Sequence, residues 1–358
     1  FGTQIPYEEK ELKVVGSNPE ARPDAVDKVT GKARYAADIN LPGQLTGKVL
    51  RSPHAHARIK SIDASEAEKL KGVKAVICRD DLPDMPVMHA AAGEIMVNFR
   101  DVTRTIMARE KALFDGHPVA AVAATSESIA KAALKLIKVE YEVLPHVIDV
   151  VDAMKPDAPL LHEDQITKGV EPTPEKPSNI AAQMVSKLGD IEEGFEQADL
   201  VVEREFNTKA AHQGYIEPHA SLAIYTEGGN AEVWTSTQGH FLIRAQIAEI
   251  LEMDVSRVKV TPAELGGGFG GKNMIYLEPL AIVLSKKSGR PVKMVMTRDE
   301  VFRASGPTSG TNIIIKIGIT KGGRITAAQA ILNYQSGCFP GSSLPLCTPT
   351  AFTRYDIA

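Results

Sequence analysis

Cysteine is scarce in this sequence: among 358 residues only Cys78, Cys338 and Cys347 occur, and none forms a C-x-x-C pair. That pattern excludes a dense disulfide framework and a cysteine-built iron–sulfur or zinc site within the chain. It makes a reducing, cytoplasmic setting the expectation. Long apolar runs are missing as well, so no segment has the roughly 20 residues a membrane-spanning helix needs. No charged-then-apolar leader opens the chain, which starts at Phe1 rather than at methionine. Nor is there a surplus of positive charge. The 41 Lys and Arg are outnumbered by 45 Asp and Glu, a net charge of -4, which argues against nucleic acid or an anionic membrane as a partner.

What is present is an ordinary globular composition, 43% hydrophobic and 24% charged, on a chain long enough for two domains. Residues 1–22 are polar and aperiodic and read as a tail. From 23 to 145, strand patterns at Leu45–Leu50, Val73–Ile77, Val119–Ala124 and Lys138–Val143 flank a helix introduced by Ser126, with Ile129, Ala130, Ala133, Leu134 and Ile137 as its apolar stripe. This mixture predicts an α+β unit. Six prolines between Pro145 and Asn179 mark 146–186 as a surface linker. A second domain is expected from 187 to 358. Asp190 and Glu193 resemble a capping box for a helix over Ile191–Ala198. Strands are predicted at Leu200–Asn207, Ala220–Tyr225, Ala231–Thr235, Val258–Thr261 and Pro291–Thr297. Helices are predicted at about Phe241–Glu252 and at Ile275–Lys287, the latter stopped by Gly289. A hairpin turns around Lys321-Gly-Gly323 between Asn312–Ile319 and Ile325–Asn333. Those last strands look incomplete, as if their partners lay past Ala358.

The most informative run is Glu264-Leu-Gly-Gly-Gly-Phe-Gly-Gly-Lys-Asn273. Five glycines in six residues cost conformational entropy, so the fold must require positive φ or close backbone approach there. A tight packing turn would satisfy this. So would a phosphate-binding P-loop over Gly266–Lys272, although Asn273 stands where a Mg²⁺-binding Ser or Thr belongs. Gly266, Gly268 and Gly271 also fit the G-x-G-x-x-G of a dinucleotide site, but Lys259, Pro262 and Glu264 spoil the buried strand that should run straight into it. The remaining reading is a loop that offers backbone N–H groups to a cofactor, with Phe269 against it.

Together with Trp234-Thr-Ser-Thr-Gln-Gly239, the glycine run resembles the two cofactor signatures of molybdenum hydroxylase large subunits, the xanthine dehydrogenase and aldehyde oxidase family. Further landmarks follow in the same order: Asp27-Lys-Val-Thr-Gly-Lys-Ala-Arg-Tyr-Ala-Ala-Asp38, Arg51-Ser-Pro-His-Ala-His-Ala-Arg58, Gly189-Asp190 and Glu217-Pro218. The resemblance runs from about Pro23 to the last residue. It implies an α/β hammerhead domain over 23–145 and the first part of a mixed α+β molybdopterin-binding domain over 187–358.

The same resemblance implies which residues meet the cofactor. Gln238 and Gly239, with Gly267, Gly268, Phe269 and Gly270, would be cofactor-binding. Gln238 and Phe269 would stand beside the metal without being its direct ligands, since the pterin's sulfurs hold it. A carboxamide suits that place, because it donates a hydrogen bond without adding charge. On its own, Gln238 could equally cap the helix near Phe241, and Phe269 could be core. Asn273 would line the substrate pocket; xanthine-oxidising members carry glutamate there, so the amide weakens the case for a purine substrate. Arg303-Ala-Ser-Gly-Pro-Thr308 departs from an Arg-His-Pro run in many relatives. His54, His56, His212, His219 and His240 show no metal-ligand spacing and read as structural.

The implied activity is hydroxylation of an aldehyde or aromatic heterocycle with water-derived oxygen. Its cofactor would be molybdenum–molybdopterin, as the simple pterin or its cytosine dinucleotide. Iron–sulfur and FAD groups would sit on partner chains, beside the remainder of the molybdopterin-binding subunit. The general-base glutamate is expected beyond Ala358, and neither Glu217 nor Glu264 aligns with it. Two other classes compete: a dinucleotide-dependent oxidoreductase, and a non-catalytic scaffold retaining the fold.

Overall fold

The computed structural model describes residues 22–92, 95–338, 348, 350–355 and 357; nearly all of the expected tail lies outside the described residues. The first part of the chain lays down α1 (Ala25–Val29), β1 (Leu45–Arg51), β2 (Ala57–Asp63), α2 (Ser65–Lys69), β3 (Val73–Ile77), β4 (His89–Ala92), β5 (Ile95–Asn98), α3 (Phe99–Ile106), β6 (Lys111–Ala112), β7 (Pro118–Ala124), α4 (Glu127–Leu134) and β8 (Lys138–Val143). The proline-rich stretch contributes only α5 (Val150–Ala153). Then come α6 (Ile191–Glu196), β9 (Leu200–Thr208), β10 (Ala220–Tyr225), β11 (Ala231–Thr235), α7 (His240–Ile250), β12 (Val258–Pro262), α8 (Glu278–Ser288), β13 (Val292–Val295), α9 (Arg298–Ala304), β14 (Thr311–Ile319) and β15 (Ile325–Tyr334). The architecture is α+β.

The central sheet has seven strands in the order β12-β11-β10-β13-β1-β7-β3. Its strands come from both ends of the chain. Leu45 of β1 pairs in parallel with Val292 of β13, while the other edge of β1 pairs antiparallel with β7. Every residue of β7 is buried, as a continuous apolar run in a central strand should be. Its side chains alternate between two cores. Ala121 and Ala123 join the larger core with Leu280, Ile282 and Leu284 of α8, whereas Ala120, Val122 and Ala124 meet Ala130 and Ala133 of α4. Helices thus cover both faces of the sheet.

Local signals act largely where the sequence places them. Ser126 accepts a hydrogen bond from the Ile129 N–H and starts α4, and Gly289 ends α8 at φ +66°. Three expectations need correction. Asp190 caps α6 by accepting from the N–H groups of Glu192 and Glu193, but Glu193 does not reciprocate, because its carboxylate takes the Gln197 amide at 3.0 Å instead. α8 begins at Glu278 rather than Ile275, with Pro279 in its first turn, where a residue without an N–H costs nothing. The late strands also find a partner upstream: β14 pairs with β15 and, along its whole length, with β9. Among the described residues no helix is long and apolar enough to cross a membrane.

Candidate cofactor site

β11 and β12 are parallel neighbours, Thr235 opposite Pro262. The Thr-Gln segment and the glycine loop therefore leave the same end of the sheet side by side. Gln238 closes the gap between them. Its Oε1 accepts hydrogen bonds from the backbone N–H of Gly270 at 2.9 Å and of Lys272 at 3.2 Å. Its own N–H donates to the Lys272 carbonyl at 3.1 Å, which the Thr237 hydroxyl also reaches at 3.1 Å. Only a carbonyl oxygen can accept from two amides, so the orientation of the side chain is fixed by chemistry. The Gln238 Nε2 is left as an outward donor without a protein partner among the described residues. Gln238 therefore does not cap α7; Gly239 is its N-cap.

The loop needs its glycines individually. A Cβ on Gly268 would lie 2.4 Å from Gln238 Oε1, and one on Gly271 2.8 Å from the Tyr215 ring. Gly267 and Gly270 adopt φ of +94° and +88°, and nothing stands within 4 Å of a Cβ on Gly270. Phe269 is itself left-handed, at φ +51°, an arrangement costing a non-glycine residue about 1–2 kcal/mol. Its ring is 73% exposed, so it is no core residue. The outcome is a backbone cradle, open on its outer side, beside one unpaired carboxamide donor. Asn273 lies at its rim with an exposed side chain; its N–H donates to the Gly270 carbonyl at 3.4 Å.

Beneath the loop lies a support that sequence reasoning missed. The Lys272 ammonium is fully buried, donates to Glu217 Oε2 at 2.7 Å and sits 4.8 Å from the centre of the Tyr215 ring. The same carboxylate oxygen accepts from the Gly266 N–H at 2.8 Å. Glu217 thus ties down both ends of the glycine run. Burial lowers the Lys272 pKa and the Glu217 charge opposes that shift. Next to the pair, burial first and then the Lys272 charge press His219 down to about 3; its Nε2 shares a 2.6 Å hydrogen bond with the Tyr215 hydroxyl. Glu217-Pro218 was visible as a landmark, but nothing local in the sequence marks Lys272 as its partner.

These positions decide among the readings of the glycine run. A P-loop lysine faces the phosphates, whereas Lys272 points inward. A dinucleotide site needs a helix opening directly from the loop, yet α8 starts only at Glu278 and β12 is an edge strand. His56 Nδ1 lies 2.7 Å from the Pro145 carbonyl and His212 Nε2 2.9 Å from the Ser305 hydroxyl. Among the described residues no cluster of three or more His, Cys, Asp or Glu could hold a metal. Glu264, the other tempting carboxylate, pairs with Lys28 at 3.2 Å.

Two loops leaving one end of a mixed sheet are thus locked together through Gln238, and relatives that share the fold give the class of protein. The chain belongs to the molybdopterin-binding family of aldehyde oxidases and xanthine dehydrogenases. The profile described as molybdopterin cofactor-binding domain matches residues 172–357, and that of the aldehyde oxidase and xanthine dehydrogenase a/b hammerhead domain matches residues 30–145. A probable xanthine dehydrogenase chain of Bacillus subtilis is 32% identical over 91% of this chain, which spans 41% of that protein. The nicotinate dehydrogenase large molybdopterin subunit of Eubacterium barkeri is 31% identical over 92% of the chain, which here spans 72% of the relative. Among solved structures, the CO dehydrogenase of Oligotropha carboxidovorans superposes with a TM-score of 0.77 at 29% identity, over 92% of this chain and 42% of its own. The chain therefore corresponds to about two fifths of most of the relatives it matches.

Proposed function

We propose that this chain provides the molybdopterin-binding part of a molybdenum hydroxylase acting on an aldehyde or an aromatic heterocycle. The observation that carries the reading is the junction of Gln238 with the N–H groups of Gly270 and Lys272. It leaves one neutral donor beside an open backbone cradle, which fits an oxygen-rich, anionic cofactor. Gln238, Gly239, Gly267, Gly268, Phe269 and Gly270 would hold it. When bound, molybdopterin supplies two-electron oxidation with water-derived oxygen. The chain's own residues would orient it: the Gln238 Nε2 would donate to it, the backbone of Gly267 and Gly268 would approach it, and Phe269 would shield one side from water. Asn273 would face the substrate, where a neutral side chain suits a nitrogen heterocycle or an aldehyde. The names of the nicotinate and quinoline relatives accord with that class.

Residues 23–145 would form the hammerhead unit and 187–358 the first part of the cofactor domain. The general base, the iron–sulfur clusters and any FAD would come from polypeptide outside this chain. The cofactor would take either its simple or its cytosine dinucleotide form. The remainder of the molybdopterin-binding subunit would lie either on the same polypeptide or on a separate one.

The test is Gln238→Glu in the native complex. A carboxylate still accepts from Gly270 and Lys272 but has no N–H to donate at neutral pH. The expected result is an unchanged melting temperature with molybdenum content or turnover reduced about 10–100-fold. Full molybdenum content and turnover in this variant, or a native preparation devoid of molybdenum and pterin, would refute the proposal.

A further inference from the structure

The floor of the glycine loop is Tyr215. It is fully buried, and a Cβ would lie 2.8 Å from its ring at Gly271 and 3.1 Å from its own Cβ at Gly267. Its carbonyl accepts from Arg298 at 2.8 Å. Its hydroxyl meets two groups, His219 Nε2 at 2.6 Å and Ser305 Oγ at 3.0 Å. The protons of this buried cluster follow by elimination. A carbonyl only accepts, so Ser305 Oγ donates to Val301, 2.6 Å away. With that proton committed, Ser305 accepts from the Tyr215 hydroxyl, which in turn accepts from the His219 Nε2–H. A backbone N–H only donates, so His212 Nδ1 accepts from Gly214 at 3.0 Å, and the His212 Nε2–H donates to Ser305 at 2.9 Å. Two donors converge on one oxygen. That order leaves no through-path for a proton, so the cluster is a fixed tie. Nearby contacts strengthen it: the N–H and hydroxyl of Thr308 both donate to the Ala211 carbonyl, at 2.9 and 2.8 Å, and Gln213 Nε2 donates to the Gly306 carbonyl at 3.3 Å. Residues 305–308 thus moor the segment that carries Tyr215 and, two residues on, Glu217.

We propose that Ser305 is a positioning residue of the cofactor site, acting through Tyr215 on the glycine loop and so on the direction of the Gln238 donor. The proposal deepens the molybdenum hydroxylase reading and rests on it for its functional half. Ser305 stands at the C-terminal end of α9, and its hydrogen-bond partners are Tyr215, His212 and Val301 rather than the loop. Without its oxygen the Tyr215 hydroxyl keeps only His219, and the ring can swing about that single contact. Gly267 and Gly271 lie against the ring and the Cβ with little room for even a methyl, so they move with it. The displacement then reaches the Gly270 and Lys272 N–H groups, which hold Gln238 Oε1. A close-packed interior transmits such shifts because it has no slack to absorb them.

Hydrogen exchange and the EPR spectrum of the bound molybdenum, measured on Ser305→Ala and Tyr215→Phe in the native complex, test the assignment. In both variants the peptide of the glycine run should exchange about tenfold faster, with β7 and β10 unchanged. Both should alter the EPR spectrum and lower kcat about tenfold at nearly constant KM. The double variant should be no worse than the more severe single one, because both changes remove the same contact. Asp299→Asn, on the exposed side of α9, controls for damage to the helix and should leave every readout as in the wild type. Unchanged exchange or an unchanged spectrum in Ser305→Ala, additive losses in the double variant, or an equal response to Asp299→Asn would overturn the proposal. Molybdenum content of the wild-type preparation separates the two claims. Molybdenum present with unaltered exchange sinks only the role of Ser305. Faster exchange in a protein whose wild type holds no molybdenum leaves Ser305 fixing the loop and sinks only the hydroxylase.

Discussion

Replacing Lys272 by methionine isolates the support under the glycine loop. The lysine side chain is 0% exposed and that of Glu217 8%, so the ammonium cannot be replaced by bulk water. In Lys272→Met, Glu217 Oε2 keeps only the Gly266 N–H, and Oε1 already has no partner. A buried carboxylate is then left without its counter-charge, an arrangement that costs about 3–5 kcal/mol. Loss of the contact with the Tyr215 ring adds about 0.5–2 kcal/mol. In Lys272→Met/Glu217→Gln no charge is stranded, so the double variant should be more stable than Lys272→Met alone by about 2 kcal/mol or more. Urea unfolding followed by fluorescence reads this directly, because the single tryptophan, Trp234, lies in β11 beside the site. A cost below about 1 kcal/mol for Lys272→Met, or strict additivity of the two single changes, would show that the pair does not hold the loop.

The glycines give a second contrast. Gly268→Ala drives a Cβ to 2.4 Å from Gln238 Oε1 and should abolish the Gln238–Gly270 contact and cofactor retention. Gly270→Ala meets no atom within 4 Å and should cost only about 1–2 kcal/mol of left-handed strain; equal molybdenum contents in the two would contradict the cradle. Acid sensitivity gives a third. His117 and His219 are both held near pKa 3 by burial, against 6.5 when unfolded. Above pH 6.5 both states are neutral and these groups add no pH dependence. Below it the unfolded chain binds protons that the native chain refuses, so stability falls progressively towards pH 3. The loss between pH 6 and 5 should be about 2 kcal/mol for the two together, and a flat unfolding free energy across that interval would disprove it.

The parts legible in the sequence are those whose cause is local. β7 announces itself as an unbroken apolar run, α4 through Ser126, and the end of α8 through Gly289. The glycine run and the Thr-Gln pair were separately conspicuous, and the structure brings them within hydrogen-bond distance. What escaped depends on distant partners. Nothing near Leu45 tells that its strand will lie beside Val292. A lysine after a glycine run reads as solvent-facing or phosphate-binding until a carboxylate 55 residues earlier neutralises it in the interior. Asp190 and Glu193 have the spacing of a capping box, but the longer side chain is drawn to Gln197, a choice set by competition rather than spacing.

The position of β1, between β7 on one edge and β13 on the other, has an evolutionary corollary. The segment that binds cofactor and the segment that precedes it share one hydrogen-bonded ribbon, so neither can be exchanged, shuffled or released by a cut between them without baring a strand. A cofactor-binding segment produced apart from the segment before it would leave β13 without its parallel neighbour β1.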